Sequence, residues 1–105
     1  MMKKRFLLGL VTSLLSLSVF AGEGDIVAGK KKSMICAGCH GIDGIAQVPG
    51  FPSLRGKNEQ YFINAMKAYQ AQRRTGGSAA MMSAQANALS EQDIKDLAAY
   101  YANMK

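Results

Sequence analysis

The 105-residue sequence contains no tryptophan, a single histidine and only two cysteines. These scarcities exclude several classes of protein. A structural zinc site needs four ligands, and two cysteines with one histidine supply three. A disulfide between Cys36 and Cys39 would close almost no loop and would stabilise little. No stretch alternates well enough to predict a strand, which argues against the βαβ setting of a thioredoxin-like dithiol.

The first 21 residues differ in composition from the rest of the chain. Lys3-Lys4-Arg5 precedes an apolar run from Phe6 to Phe20, and Val19-Phe20-Ala21 offers the small residues that a signal peptidase reads. The run is shorter than the roughly 20 residues of a membrane-spanning helix. We therefore expect residues 1–21 to be a cleaved secretory signal and residues 22–105 to form one domain. An uncleaved membrane anchor is the alternative.

The charge balance does not indicate a nucleic-acid-binding surface. The sequence has 13 Lys+Arg and 7 Asp+Glu, but three cations belong to segment 1–21, which leaves a net charge of +3. The one basic cluster, Lys30-Lys31-Lys32, is typical of a solvated helix face, whereas nucleic-acid binding usually needs a broader basic surface. We expect no nucleic-acid partner, and no membrane insertion after signal cleavage.

Helical patterns predict an all-α domain with three main helices. The first runs from about Asp25 to the cysteines. The second begins at the N-cap residue Asn58, carries an apolar stripe and ends near Arg73-Arg74; the third begins with a Ser90–Asp93 capping box. The segments between these helices, residues 41–56 and 75–89, are expected to be loops.

The run Cys36-Ala37-Gly38-Cys39-His40 is the pattern of c-type haem attachment. Two thiols at i and i+3 lie on one side of the chain and can add to two porphyrin vinyl groups, and the adjacent imidazole can reach the iron. A bound cofactor would also supply stability that so small a domain lacks. We predict one covalent haem c, with iron held by His40.

The sixth iron ligand is predicted to be a methionine. His40 is the only histidine, so a second imidazole from this chain is excluded, and methionine is the other common axial ligand of electron-transfer cytochromes. Met81 and Met82 have enough chain on either side to cover the opposite haem face. The residues themselves leave the choice between these two open.

With these motifs, the sequence resembles class I cytochromes c, in particular small periplasmic mono-haem proteins similar to the halves of di-haem cytochromes. The likeness covers nearly all of residues 22–105, including Asp25–Lys30, Cys36–Gly41, Val48–Gly56 and Met81–Ile94. It implies a cytochrome c fold with three main helices around one haem. Counted back from the leucine before the last helix, it also implies Met82 as the sixth ligand.

The resemblance implies further roles for individual residues. The Pro49 carbonyl is expected to accept a hydrogen bond from His40 Nδ1, with Pro52 as the alternative, and Phe51 and Leu54 are expected to pack on the porphyrin. The first and last helices are expected to be in close contact at Gly29 and Tyr100. The sequence lacks the tryptophan that binds a haem propionate in this family, and Arg55, Lys57 or Tyr61 is expected to take its place.

A haem with two permanent protein ligands implies a one-electron carrier rather than an enzyme. We expect a periplasmic monomer that exchanges electrons with donor and acceptor proteins at a haem edge ringed by Ala37, Ile42 and Ala46. A haem-carrying subunit or domain of a larger oxidoreductase is one alternative. A haem sensor or peroxidatic protein is another, although it would need a distal acid–base group and no second histidine exists.

Overall fold

The computed structural model describes residues 23–105, so the predicted signal sequence, residues 1–21, lies outside the described residues. This part of the chain contains five α-helices and no strand: α1 (Ile26–Lys32), α2 (Met34–His40), α3 (Glu59–Gln70), α4 (Ala79–Asn87) and α5 (Glu91–Ala102). The all-α prediction is confirmed. Within residues 23–105, no helix is long and apolar enough to cross a membrane.

Side-chain caps fix the predicted helix starts. The Asp25 carboxylate accepts hydrogen bonds from two backbone N–H groups of α1, and the Asn58 side chain accepts one from the N–H of Tyr61. Ser90 and Asp93 form both bonds of a capping box at the start of α5. These local bonds satisfy N–H groups that have no partner within the helix, which explains why the starts could be predicted from sequence.

The first predicted helix is divided in two at Ser33. The Ser33 hydroxyl donates to the Lys30 carbonyl oxygen at 2.7 Å, and α2 begins at the next residue. Serine side chains compete in this way with the backbone bonds of a helix. The second predicted helix also ends earlier than expected, at Gln70 instead of near Arg73-Arg74.

The predicted loop 75–89 contains a helix, α4, which corrects the sequence-based expectation. Its alanine-rich sequence favours a helix, but nine residues are too few to be stable alone. Tertiary contacts supply the rest. The Gln70 amide of α3 donates to the carbonyl oxygens of Ala86 and Leu89 at 2.9 and 3.1 Å, and Ser83 and Ala86 are buried.

Helices α1 and α5 cross with their backbones in contact. A Cβ atom at Gly29 would lie 2.1 Å from the carbonyl oxygen of Asp96 and 2.7 Å from Cβ of Tyr100. Only glycine allows this approach, so the expected contact of Gly29 with Tyr100 is confirmed. A glycine inside a helix costs about 1 kcal/mol relative to alanine, and the close packing of α1 against α5 offsets this cost.

A carboxylate network reinforces the same crossing. Asp96 of α5 is 3% exposed and accepts hydrogen bonds from the Asp25 N–H at 2.8 Å, from Gln92 at 3.0 Å and from the Lys32 ammonium. Burial alone raises the pKa of Asp96, but these donors outweigh it and lower the pKa below its ordinary value. These donors therefore favour the ionised form of the buried carboxyl group.

The hydrophobic core lies between α3, α4 and α5. The rings of Phe62 and Tyr101 stack with centroids 5.8 Å apart. The other buried members of this cluster are Met66, Ala86, Ile94, Leu97 and Ala98. Met82, Leu54 and Cys36 pack against it from the side that carries the cavity described next, so the core also forms one wall of the candidate site.

Candidate functional site

Helix α2 brings the three residues of the attachment motif to one end of a cavity. Cys36, Cys39 and His40 all line it, and His40 is only 7% exposed. Both cysteines are free thiols, Cys36 half-buried and Cys39 exposed. Because the two thiols and the imidazole meet in one space, the chemistry read from the motif is sterically available.

The imidazole of His40 is fixed by a backbone carbonyl. Its Nδ1 lies 2.7 Å from the carbonyl oxygen of Pro52. A carbonyl can only accept, so Nδ1 carries a proton, and Nε2 is the ring nitrogen left to bind a metal.

The prediction that the Pro49 carbonyl accepts this bond is wrong; the acceptor is Pro52. Val48 to Phe51 form a turn closed by a 3.2 Å bond from the Phe51 N–H to the Val48 carbonyl. Pro49 and Gly50 are the central residues of this turn, and Gly50 has φ of +93°, as a type II turn demands. Pro49 is exposed at its tip and does not line the cavity, whereas the chain beyond the turn returns to His40.

The cavity has a volume of about 470 Å³, within the range of small-molecule and cofactor sites. Its walls come from α2, the 50–54 segment, α3 and α4. Apolar side chains predominate, namely Ile35, Phe51, Leu54, Phe62, Ala65, Met66, Met82 and Leu89. The two residues expected to pack on a porphyrin, Phe51 and Leu54, are thus brought to the same space as the thiols.

Helix α4 contributes both candidate methionines to the cavity. Met82 is half-buried and packs against the hydrophobic core, while Met81 is 55% exposed. Neighbouring residues on a helix point about 100° apart, which explains why the two side chains differ in burial. The sequence had suggested this pair as loop residues; the helix gives them distinct orientations.

The environment of Cys36 keeps its sulfur protonated before attachment. Burial raises the pKa of the Cys36 thiol, and a hydrogen bond with Tyr101 opposes that shift only in part. Burial likewise raises the pKa of the Tyr101 phenol, so this group remains an O–H. A thioether at Cys36 would remove the titration altogether and would suit this apolar position.

Taken together, the donor set fits a covalently held haem. Both thiols line the cavity, the Nδ1 contact of His40 leaves Nε2 to bind a metal, and the apolar walls suit a flat macrocycle. Of the three expected propionate partners, Lys57 and Tyr61 line the cavity. Arg55 does not; its guanidinium donates to backbone oxygens of Asp43 and Lys105 instead.

Tyr69 and Arg74 are among the residues of the cavity wall that sequence reasoning missed. The Arg74 guanidinium carbon lies 4.7 Å from the centroid of the Tyr69 ring, and both side chains line the cavity. The spacing of apolar residues in α3 assigns Tyr69 to the core. An arginine that follows a helix is expected to face solvent. The path of the chain between α3 and α4 brings Arg74 to the site, beside Tyr69 of α3.

The fold and the cavity indicate a small helical protein with a covalently bound haem. Comparison with known proteins indicates the same class. The family model "Cytochrome c" matches residues 26–105. Cytochrome c-554(548) of Halomonas halodenitrificans is 43% identical over 82 residues, which cover 78% of this chain and 99% of that protein. The chain belongs to the cytochrome c family, and it binds haem c through Cys36 and Cys39.

Cytochromes c4 are similar to the chain over only part of their length. The protein from Pseudomonas aeruginosa is 37% identical over 99 residues, which are 91% of this chain and 48% of that one. The crystal structure of reduced recombinant cytochrome c4 from Pseudomonas stutzeri superposes with a TM-score of 0.67 at 34% identity, covering 78% of this chain and 46% of that chain. The chain thus spans about half the length of its c4 relatives.

Proposed function

We propose that this chain is a periplasmic one-electron carrier whose single haem c is ligated by His40 and Met82. When bound, the haem supplies a centre that alternates between ferric and ferrous iron. The protein's part is to hold two ligands in place and to keep substrates away from the metal. The observation that carries the proposal is that His40 of α2 and the half-buried Met82 of α4 line one apolar cavity.

Three features of the chain support a carrier over a catalyst or a sensor. The Pro52 carbonyl restrains the imidazole, so its orientation need not change with redox state. Met82 packs against the core, which favours a permanently filled sixth position. No histidine other than His40 is available as a distal acid or base. A site of this kind can exchange electrons with little structural rearrangement.

The ligand assignment is tested by paired substitutions in α4. Met82→Ala should abolish the weak far-red absorption band that methionine–iron coordination gives in ferric cytochromes of this class, and should lower the reduction potential because a thioether raises it. Met81→Ala, an adjacent methionine in the same helix, is the matched control and should keep the band. Loss of the band in Met81→Ala would assign the ligand to Met81. Absence of the band in the unmodified protein would favour the sensor or peroxidatic alternative.

We further propose that electrons cross at the edge near Cys39. This residue is exposed, and Ile42 beside it is 72% exposed, while Ala37 and Ala46 are partly exposed. With a net charge of +3 for residues 22–105, the encounter should depend more on apolar contact than on electrostatic steering. Electron-exchange rates should fall only mildly with added salt; a drop of about a hundredfold would indicate steering instead.

Location and haem content need a separate measurement. Residues 1–21 should direct export and be removed after Ala21. Cell fractionation followed by intact-mass analysis should find a periplasmic chain that begins at Gly22 and carries one haem. A chain that retains residues 1–21 would support the membrane-anchor alternative.

A second candidate, a haem subunit or domain partner of a larger oxidoreductase, is favoured by one observation. The chain covers only about half of each cytochrome c4 relative, so a similar unit occurs within a longer polypeptide. Size-exclusion chromatography of the native periplasmic fraction separates the two candidates. A free carrier elutes at the size of the single chain, whereas a fixed subunit elutes in a larger complex with a constant partner.

A further inference from the structure

The carbonyl group that holds His40 lies at the end of an exposed loop, residues 47–52. All residues of this loop except Phe51 are exposed, and its internal backbone bond is the 3.2 Å contact of Phe51 with Val48. Proline has no N–H group, so Pro52 cannot be anchored by a backbone donor of its own. The place of the acceptor is therefore set by the residues at the base of the loop.

The base of the loop consists of residues 41–46 and 53–55, which lie side by side. The Gly44 carbonyl accepts hydrogen bonds from the N–H groups of Leu54 at 2.7 Å and of Arg55 at 3.0 Å. Gly44 is buried with φ of +79°, and a Cβ atom there would lie 3.0 Å from the Cβ atom of Arg55. Because this base starts where α2 ends, it connects the returning chain to the helix that carries the imidazole.

Ser53 joins the two sides of the base directly next to the loop. Its hydroxyl oxygen accepts a hydrogen bond from the Ala46 N–H at 2.9 Å, and both residues are half-buried. The carbonyl group of Pro52 belongs to the peptide unit that Pro52 shares with Ser53, and this unit is planar. A restraint on Ser53 therefore also restrains the direction in which the Pro52 carbonyl points.

We infer that Ser53 is a positioning residue for His40. Its hydroxyl holds the peptide unit between Pro52 and Ser53 so that the carbonyl oxygen meets Nδ1 at 2.7 Å. The inference rests on the proposed ligation of iron by His40, because the partner of Nδ1 orients an imidazole whose Nε2 binds the metal. It does not depend on which methionine is the sixth ligand or on the identity of the redox partners.

Removal of the hydroxyl should loosen the contact of His40 with its acceptor. In Ser53→Ala the partly buried Ala46 N–H loses its partner, and such a group is costly to leave unpaired. The loop should then open more often, which exposes the Nδ1 proton to solvent. A hydrogen bond from Nδ1 to a carbonyl oxygen also increases the electron density that the ring gives to bound iron, which favours the ferric state. A weaker bond should therefore raise the midpoint potential.

The test is the solvent exchange of the His40 Nδ1 proton, measured by NMR in the reduced haem-containing protein together with the midpoint potential. In Ser53→Ala this proton should exchange about tenfold faster, because local opening no longer breaks the Ser53 hydrogen bond. The midpoint potential should rise in the same variant. Ser53→Thr keeps a hydroxyl group and should return both quantities close to their original values.

Gln47→Ala is the matched control, since Gln47 is an exposed residue of the same loop. Its exchange rate and potential should be those of the unmodified protein. Unchanged Nδ1 exchange in Ser53→Ala would overturn the inference. An equal acceleration at the backbone N–H of Leu97, in the core of α5, would also overturn it, because the substitution would then act through overall stability.

The same measurements separate this inference from the proposed ligation. Faster Nδ1 exchange with no change in potential would support the positioning role of Ser53 and count against iron ligation by His40. The far-red methionine band should persist in all three variants. Its absence from the unmodified protein would refute ligation by methionine only, since the exchange rate reports the contact of His40 with Pro52 directly.

Discussion

The α1–α5 crossing and the cavity differ in what completes them. At the crossing, the Gly29 backbone touches the Asp96 backbone, and hydrogen bonds from the chain satisfy the buried carboxylate. In the cavity, side chains of α2, α3 and α4 face a shared space of about 470 Å³. The crossing is complete with protein atoms alone, whereas the packing around the cavity needs the cofactor. Substitutions in the two regions should therefore produce different kinds of defect.

Loss of haem attachment should have the largest effect on stability, and it should act at the cavity and not at the crossing. In a Cys36→Ser/Cys39→Ser double variant, no thioether can form, and the walls of the cavity lose their common contact. A domain of this size has only about 5 kcal/mol of stability to lose. We expect no covalent haem on denaturing gels and a far-ultraviolet circular dichroism spectrum of a largely unfolded chain. A native-like spectrum would show that the crossing and core suffice without the cofactor.

Overpacking the crossing should have the next largest effect. In Gly29→Ala the added methyl group meets backbone atoms of α5 that cannot move independently, and we expect a loss of about 3 kcal/mol in the free energy of unfolding. Lys30→Ala, at the next position and exposed, is the control and should stay close to the original stability. Chemical denaturation of the haem-containing protein measures both. The visible spectrum of folded Gly29→Ala should be unchanged, since the defect is remote from the haem.

Acid should weaken the crossing through its carboxylates. The pKa of Asp93 is lowered chiefly by its bond with Lys32, and the pKa of Asp96 is also below its ordinary value. Their stabilising contribution is thus present above the unfolded pKa of about 4 and is lost as the pH falls through the lower folded values. The pKa of Lys32 is raised, so its contribution is lost only at strongly alkaline pH.

Asp96→Asn measures this acid-sensitive contribution. We expect a loss of about 2 kcal/mol at neutral pH, less than for a fully buried pair because Lys32 is 30% exposed. The difference between variant and original protein should shrink toward pH values below about 3. Denaturant midpoints at neutral and acidic pH provide the comparison. A difference that is constant with pH would mean that Asp96 acts through packing and not through its charge.

The smallest predicted effect is a gain in stability at the edge of the cavity. Gln72 has φ of +57°, a conformation that costs a side-chain-bearing residue about 1 kcal/mol. Gln72→Gly should relieve this strain and raise the thermal midpoint modestly. Ala71→Gly, at the preceding residue with φ of −87°, is the control and should lower it. If both variants are destabilised, the Gln72 side chain must make a contact that outweighs its backbone strain.

What could be predicted from sequence was local along the chain. The thiols and His40 are contiguous, and the caps at Asp25, Asn58 and Ser90 act within three residues. The contact of Gly29 with Tyr100 was implied by resemblance, because close helix packing leaves a recognisable glycine.

What could not be predicted depends on the path of the chain through space. The turn at Pro49-Gly50 shifts the His40 acceptor to Pro52, three residues further on. Helix α4 is stabilised by a distant side chain, Gln70, whose amide donates to the Ala86 carbonyl near the end of the helix. Arg74 reaches the cavity through a reversal after α3 that no apolar pattern records.

The hydrogen bond from Gln70 to α4 also affects how firmly this helix is held at the cavity. One amide group donates to the carbonyl oxygens of Ala86 in α4 and of Leu89 just beyond it, so separation of α4 from α3 would cost both hydrogen bonds. The sulfur of Met82 is carried by this helix. Under the ligation proposed above, a substitution that removes the Gln70 amide should shorten the time for which the Met82 sulfur stays at the iron.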